Sequence, residues 1–280
     1  MRVAYLGTPE IAVPTLRAIV GAGHDVALVV SGKDKKRGRG SALSPTPVKA
    51  AALELGLSVT DRIDDVVALD PPAELGVIVA YGRLIKPPVL GSMPLINEHF
   101  SLLPRWRGAA PLERALLAGD EKTGVCIMDI EEGLDTGAIY RCVEVPIGPD
   151  QTADELRDVL VSEGTSLVLD MLEHGIGTPT PQQGEPVYAP KLSADELRLD
   201  WTRPAVELHR RVRIGGAWTM HAGKRLKVWR TALPAGDGPV VAPTGTDPIE
   251  LVEVQPEGKG RMPAGAWANG AHWRAGDSFA

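Results

Sequence analysis

Asn97 and His99 stand two residues apart at the end of an apolar run, in Pro-Leu-Ile-Asn-Glu-His-Phe-Ser-Leu-Leu-Pro-Arg-Trp-Arg-Gly (94–108). On a strand this spacing points both side chains to one face. An amide donor beside an imidazole suits a reaction in which negative charge grows on a carbonyl oxygen. Asp135, in Glu-Glu-Gly-Leu-Asp-Thr-Gly (131–137), could orient the imidazole or collect a proton. The three together can run acyl-type transfer without a covalent intermediate. Each also has a plainer explanation: a polar residue near a strand end is ordinarily hydrogen-bonded in place, and an Asp before Thr-Gly ordinarily makes a turn.

The elements that must hold these residues follow from periodicity. Arg2–Leu6 and Val26–Val30 are apolar strands around a helical stripe of Ile11, Val13, Leu16, Ile19 and Val20, with Thr8 as the expected helix cap. This βαβ unit implies a parallel sheet. It lacks the Gly-x-Gly-x-x-Gly fingerprint of dinucleotide folds. Pro47–Leu55 reads as a helix, Leu57–Thr60 as a short strand, and Leu75–Tyr81 as a central strand buried on both faces. Leu95–Phe100 follows as a strand, Ala109–Ala118 as a helix, and Gly124–Ile130 with Ala138–Val145 as an antiparallel pair. Thr152 and Glu155 form a capping box for a helix running to about His174.

The Gly- and Pro-dense stretch 175–190 reads as an interdomain linker. Beyond it, a helix near Pro204–Arg213 and short β runs at Lys224–Leu233, Ile249–Val254 and Gly265–Arg274 suggest a small β-barrel. The expected architecture is therefore α/β: an open, mostly parallel sheet with flanking helices over 1–174, the linker, and an OB-like barrel over 191–280.

Length and an ordinary composition admit two soluble domains. No apolar run approaches a membrane span, and no metal-ligand spacing occurs. Cys126 and Cys142 read as free, buried thiols of a reducing cytoplasm. The net charge of −6 is uneven: residues 1–186 carry 17 Lys/Arg against 26 Asp/Glu, residues 187–280 carry 13 against 10. The basic excess matches an anionic partner for the second domain. Two further cationic features fit such a partner. Lys33, Lys35, Lys36, Arg37 and Arg39 crowd a Gly-rich loop that is either a solvated connection or a phosphate-contacting arm. In the C-terminal part, Arg210, Arg211, Lys224, Arg225 and Lys227 accompany five tryptophans, most of which suit a core better than a stacking platform.

The run Asn-x-His-x-Ser-Leu-Leu-Pro, then Arg-Gly, then Gly-Leu-Asp-Thr-Gly resembles the 10-formyltetrahydrofolate-dependent formyltransferases. So do Val-Ala-Tyr-Leu-Gly-Thr-Pro-Glu (3–10), Ala-Tyr-Gly-Arg-Leu-Ile (80–85) and Ser-Leu-Leu-Pro-Arg-Trp-Arg-Gly-Ala-Ala-Pro (101–111). Tyr-Ala-Pro-Lys (188–191) and Gly-Ala-Trp-Thr (216–219) place the resemblance in the branch with a second, tRNA-binding domain, and it spans nearly the whole chain. The resemblance implies formyl transfer from 10-formyltetrahydrofolate to the α-amino group of methionine on initiator tRNA, giving formylmethionyl-tRNA for translation initiation. It implies a cytoplasmic monomer without metal or obligate protein partner. It assigns catalysis to Asn97, His99 and Asp135, and folate binding to Arg83, Leu84, Ile85, Ser101, Leu102, Leu103 and Pro104. It assigns tRNA contact to the Lys33–Arg39 loop and the C-terminal barrel, whose cations Arg210, Arg211, Lys224, Arg225 and Lys227 would supply it. A small amine acceptor, or an RNA-binding relative without catalysis, are the competing expectations. One position departs from the pattern: Glu98 stands where the family usually has an apolar residue.

Overall fold

Apolar runs become buried strands in a computed structural model that describes residues 1–36, 43–274 and 276–279. Arg37 and Arg39 lie outside the described residues. The chain divides into two compact units, residues 1–111, 122–146 and 157–189 against residues 112–121, 147–156 and 190–280.

In chain order the first unit contains β1 (Arg2–Gly7), helix α1 (Val13–Gly21), β2 (Asp25–Val30), the two-residue strands β3 (Lys35–Lys36) and β4 (Leu43–Ser44), and α2 (Pro47–Glu54). After these come β5 (Val59–Thr60), β6 (Leu75–Val79), the short α3 (Pro87–Leu90), β7 (Leu95–His99) and β8 (Arg107–Gly108). Helix α4 (Pro111–Ala118), which past its first residue belongs to the second unit, leads to β9 (Lys122–Asp129), β10 (Ile139–Pro146), the long α5 (Ala153–His174), whose first four residues also belong to the second unit, and β11 (Tyr188–Ala189).

Seven strands form one sheet in the order β10-β9-β7-β6-β1-β2-β5, parallel from β7 to β5 and antiparallel through β9 and β10. All five residues of β6 are buried, as a strand covered on both faces requires. Edge strand β10 is mostly open. Thr152 and Glu155 make the reciprocal capping-box bonds that start α5. Thr8 caps nothing: its hydroxyl accepts from the Gly32 amide instead, and a short 3-10 turn at Glu10–Ala12 leads into α1.

Two other expectations change. Cys126 and Cys142 face each other directly across β9 and β10 and form a disulfide; Cys126 is buried, but Cys142 lies on the open edge strand and is exposed. The 175–190 segment is no free linker. Thr180 bridges to Ile139, Val187 exchanges backbone bonds with Pro104 and Arg107, and β11 pairs with β8.

The second unit continues with α6 (Ala205–Ile214), β12 (Trp218–His221), β13 (Lys224–Ala232), β14 (Val241–Ala242), β15 (Ile249–Pro256), β16 (Met262–Pro263) and α7 (Ala264–Ala271). Its antiparallel strands run β12-β13-β15-β14, with β16 also on β15. The sheet curls into a half-barrel; among the described residues β12 and β14 remain its two ends. Residues 265–274, expected as a strand, are mainly helix α7. Ala264, Trp267 and Ala268 are its buried residues, at the i, i+3, i+4 spacing of one helical face. No described helix is long and apolar enough to cross a membrane.

Candidate active site

Strand β7 ends at the C-terminal edge of the parallel strands, where sites form in open α/β sheets. Its last residues alternate in direction. Asn97 is half-buried and His99 is 6 % exposed, while Glu98 between them turns to the opposite face. After His99 the chain makes a compact turn: the Ser101 amide bonds to the His99 carbonyl and the Ser101 hydroxyl donates to the Arg105 carbonyl. That turn carries Trp106 at φ 66°, and its carbonyl oxygen lies 2.9 Å from Nε2 of His99.

This contact sets the imidazole's chemistry. A carbonyl can only accept, so Nε2 carries a hydrogen and Nδ1 is the ring nitrogen turned toward Asp135. Nδ1 lies 3.7 Å from Oδ2 of Asp135. That is too long for a direct hydrogen bond. Oδ2 is itself held by the Gly108 amide at 2.7 Å. Asp135 sits at φ 51°, an uncommon conformation for a residue with a side chain. The structure therefore gathers Asn97, His99 and Asp135 at one sheet edge, with the Trp106 carbonyl, not Asp135, orienting the ring.

The other side of β7 holds an unusual buried carboxyl. Oε2 of Glu98 accepts from the Thr15 hydroxyl at 3.2 Å, Thr15 in turn bonds Thr165 of α5, and Oε1 has no partner among the described residues. Gly164 lets this happen: a Cβ there would stand 2.1 Å from Oε1. Burial pushes the Glu98 carboxyl up to about 8. The same surroundings, with Glu98 as a neighbour, hold the Tyr5 phenol well above its ordinary range. Glu98 is therefore a protonated, neutral acid at pH 7.

Residues 83–85 follow β6 at the same edge, after Ala80 and Gly82 turn the chain through positive φ. Arg83 donates to the Asp61 carbonyl, Ile85 packs into the core, and Leu84 is 78 % exposed. Ser101 is fully buried, Leu103 packs with Cys126 and Met128, and Leu103–Pro104 is a cis bond. Leu102 lies over Gly124. Among the described residues no group of His, Cys, Asp or Glu gathers as a metal-ligand set.

The predicted cations separate into two kinds. Lys33 and Lys35 are exposed, and the backbone of Lys35–Lys36 pairs with Leu43–Ser44. In the second unit Arg210 lies against Gly119 and donates to the Ala118 carbonyl, while Arg211 donates to the Arg198 carbonyl. Lys224 and Arg225 are exposed and Lys227 is half-buried on β13. The Arg225 guanidinium lies 4.1 Å from the centre of the half-buried Trp218 ring, and Arg261 lies 3.5 Å from that of Trp229. Trp201, Trp267 and Trp273 instead pack with Phe279 in the core. Sequence reasoning gave no role to Arg107, although it stands in the Arg-Gly of the motif, or to Gln182, which no motif marks; both bond around Asp135.

Comparison with known proteins adds family to geometry. Residues 1–172 match the formyl transferase family, and residues 191–272 the formyl transferase C-terminal domain. A methionyl-tRNA formyltransferase of Clavibacter sepedonicus is 41 % identical over 96 % of this chain and 97 % of its own length. Among solved structures, HypX of Aquifex aeolicus in complex with tetrahydrofolic acid superposes with a TM-score of 0.69 at 17 % identity, over 100 % of this chain and 50 % of that longer one. The methionyl-tRNA formyltransferase of Clostridium thermocellum superposes at 0.60 and 14 % identity, over 93 % of this chain and 100 % of its own.

Proposed function

The chain belongs to the methionyl-tRNA formyltransferase family of formyl-transferring enzymes, and on that premise we propose that it formylates the α-amino group of methionyl initiator tRNA with 10-formyltetrahydrofolate as donor. The observation that carries the reading is the grouping of Asn97, His99 and Asp135 at the sheet edge, with Nδ1 of His99 3.7 Å from the Asp135 carboxylate.

The neutral acceptor amine attacks the formyl carbon, and charge grows on the formyl oxygen. Asn97, through its amide, and His99, through Nδ1–H, donate to that oxygen; one such donor is worth about 3 kcal/mol of barrier. Asp135 collects the proton that the amine sheds, directly or through one water. The N–C bond to the acceptor forms first, giving a tetrahedral oxyanion, which then collapses with cleavage of the bond to the folate nitrogen. The donor, when bound, supplies the formyl carbon and takes back one proton on the nitrogen that releases it.

Residues 83–85 and 101–104 flank the trio. The open Leu84 side chain and the backbone groups of a segment outside any strand offer the apolar surface and the hydrogen-bonding edge that a flat pterin ring needs. Lys33, Lys35, Arg210, Arg211, Lys224, Arg225 and Lys227 supply phosphate contacts, and Lys36, Arg37 and Arg39 join them on sequence grounds alone. The protein works as a cytoplasmic monomer in translation initiation. The test is a formylation assay with charged initiator tRNA and small amines, such as amino sugars, offered together. Formylmethionyl-tRNA as the fast product supports the reading; a small formamide or free formate in its place overturns it.

A further inference from the structure

A single side chain outside the proposed trio closes a ring of hydrogen bonds around Asp135. Gln182 lies in the Pro-rich segment between α5 and β11 and is half-buried. Its amide nitrogen donates to the Asp135 carbonyl at 2.9 Å and to the Gly137 carbonyl at 2.8 Å. Its amide oxygen accepts from Arg107 twice, from Nε at 3.1 Å and from Nη2 at 2.7 Å. Both donors and both lone pairs of the amide are thus spent on this one spot. The residue after Arg107 is Gly108, whose backbone N–H holds Oδ2 of Asp135. The circuit runs from the Asp135 carboxylate through Gly108 and Arg107 to Gln182, and returns to the Asp135 carbonyl.

The turn it holds is one that the chain would otherwise resist. Asp135 sits at φ 51°. Gly137 approaches the Asp129 carbonyl so closely that a Cβ would stand 1.9 Å from its oxygen. Strained residues persist only where surrounding contacts over-determine them. Two further attachments place Gln182 itself: the Thr180–Ile139 bridge before it, and the pairing of Tyr188–Ala189 with Arg107–Gly108 after it.

We propose that Gln182, clamped by Arg107, is a positioning residue for Asp135, and that the 180–189 segment is a strap that sets the distance between that carboxylate and His99. This inference rests on the proposed role of Asp135 and adds the residue that places it. Gln182→Glu is the discriminating change, since it keeps the acceptor for Arg107 and the size but loses both donors to the loop carbonyls.

The test is single-turnover formyl transfer by the parent chain, Gln182→Glu, Asp135→Asn and the double variant, with KM for tRNA and thermal midpoint alongside. Gln182→Glu is expected to lower the chemical rate at least tenfold with KM within a factor of two, in a chain that remains folded at the assay temperature though with a lower midpoint. In the Asp135→Asn background the same change should cost less than twofold, because the residue it positions no longer acts. A full rate in Gln182→Glu, or a tenfold loss that persists without Asp135, overturns the inference. If Gln182→Glu does not fold, Arg107→Met with an intact glutamine enters the same cycle and is judged by the same two criteria. Loss of the proposed role for Asp135 itself shows separately, as an Asp135→Asn chain with parental rate.

Discussion

Replacing Glu98 by Gln should change how stability depends on pH, and the size of the change follows from where the carboxyl sits. In the folded chain Glu98 is buried, faces one hydroxyl, and releases its proton at about 8 in place of the ordinary 4.5. The other groups facing it are neutral at these pH values: Thr15 from α1, Thr165 and Gly164 from α5, and the raised Tyr5 phenol from β1. Between these two pH values the native state keeps a proton that the unfolded chain has lost. Stability therefore falls as pH rises, by about 1.4 kcal/mol for each pH unit and about 5 kcal/mol across the window. From pH 5 to 7.5 the share is about 3 kcal/mol. Glutamine has the same shape and no proton to lose, so its own cost is independent of pH. Denaturant unfolding of both chains at pH 5, 6, 7 and 7.5 measures this directly, because every other titrating group cancels in the difference. The Glu98→Gln variant should gain about 3 kcal/mol relative to the parent over that range. Parallel curves would mean that Glu98 is ionised or solvated in the native state, and would refute the buried-acid reasoning.

Two further outcomes follow from the same structure. The Cys126–Cys142 bond spans a sequence separation of 16, so its reduction should lower stability by about 3 kcal/mol. Thiol titration of the denatured chain should find free thiols only after reductant; titratable thiols without it would remove the disulfide. Lys224→Gln combined with Arg225→Gln should weaken tRNA binding and flatten the log–log salt dependence by about 0.9 for each phosphate that is no longer neutralised. An unchanged salt slope would leave these two side chains as a solvated strand face.

Much of the architecture was legible because burial writes periodicity into sequence. Leu75–Val79 is apolar throughout and became a strand covered on both faces; Thr152 and Glu155 announced the start of α5. What failed was local ambiguity. Residues 265–274 offered two tryptophans among small residues, and only the buried spacing of Ala264, Trp267 and Ala268 shows a helix. What was invisible depends on contacts between segments far apart in the chain. Cys126 and Cys142 looked like isolated thiols because nothing in the spacing fixed the register that sets them opposite each other. Gln182 lay in a stretch whose prolines signalled extension but not its partners, and Trp106 acts through a backbone carbonyl that no side-chain motif encodes. Asn97, His99 and Asp135 stood out by type and spacing; the groups that aim them did not.

The most direct test of this mechanism compares single-turnover formyl transfer from 10-formyltetrahydrofolate to charged initiator tRNA by the parent and the His99→Ala chain, with tRNA affinity measured on both. Transfer by His99→Ala should be at least a hundredfold slower, with affinity nearly unchanged. Transfer at the parental rate without the imidazole would remove His99 from the mechanism and contradict the central claim.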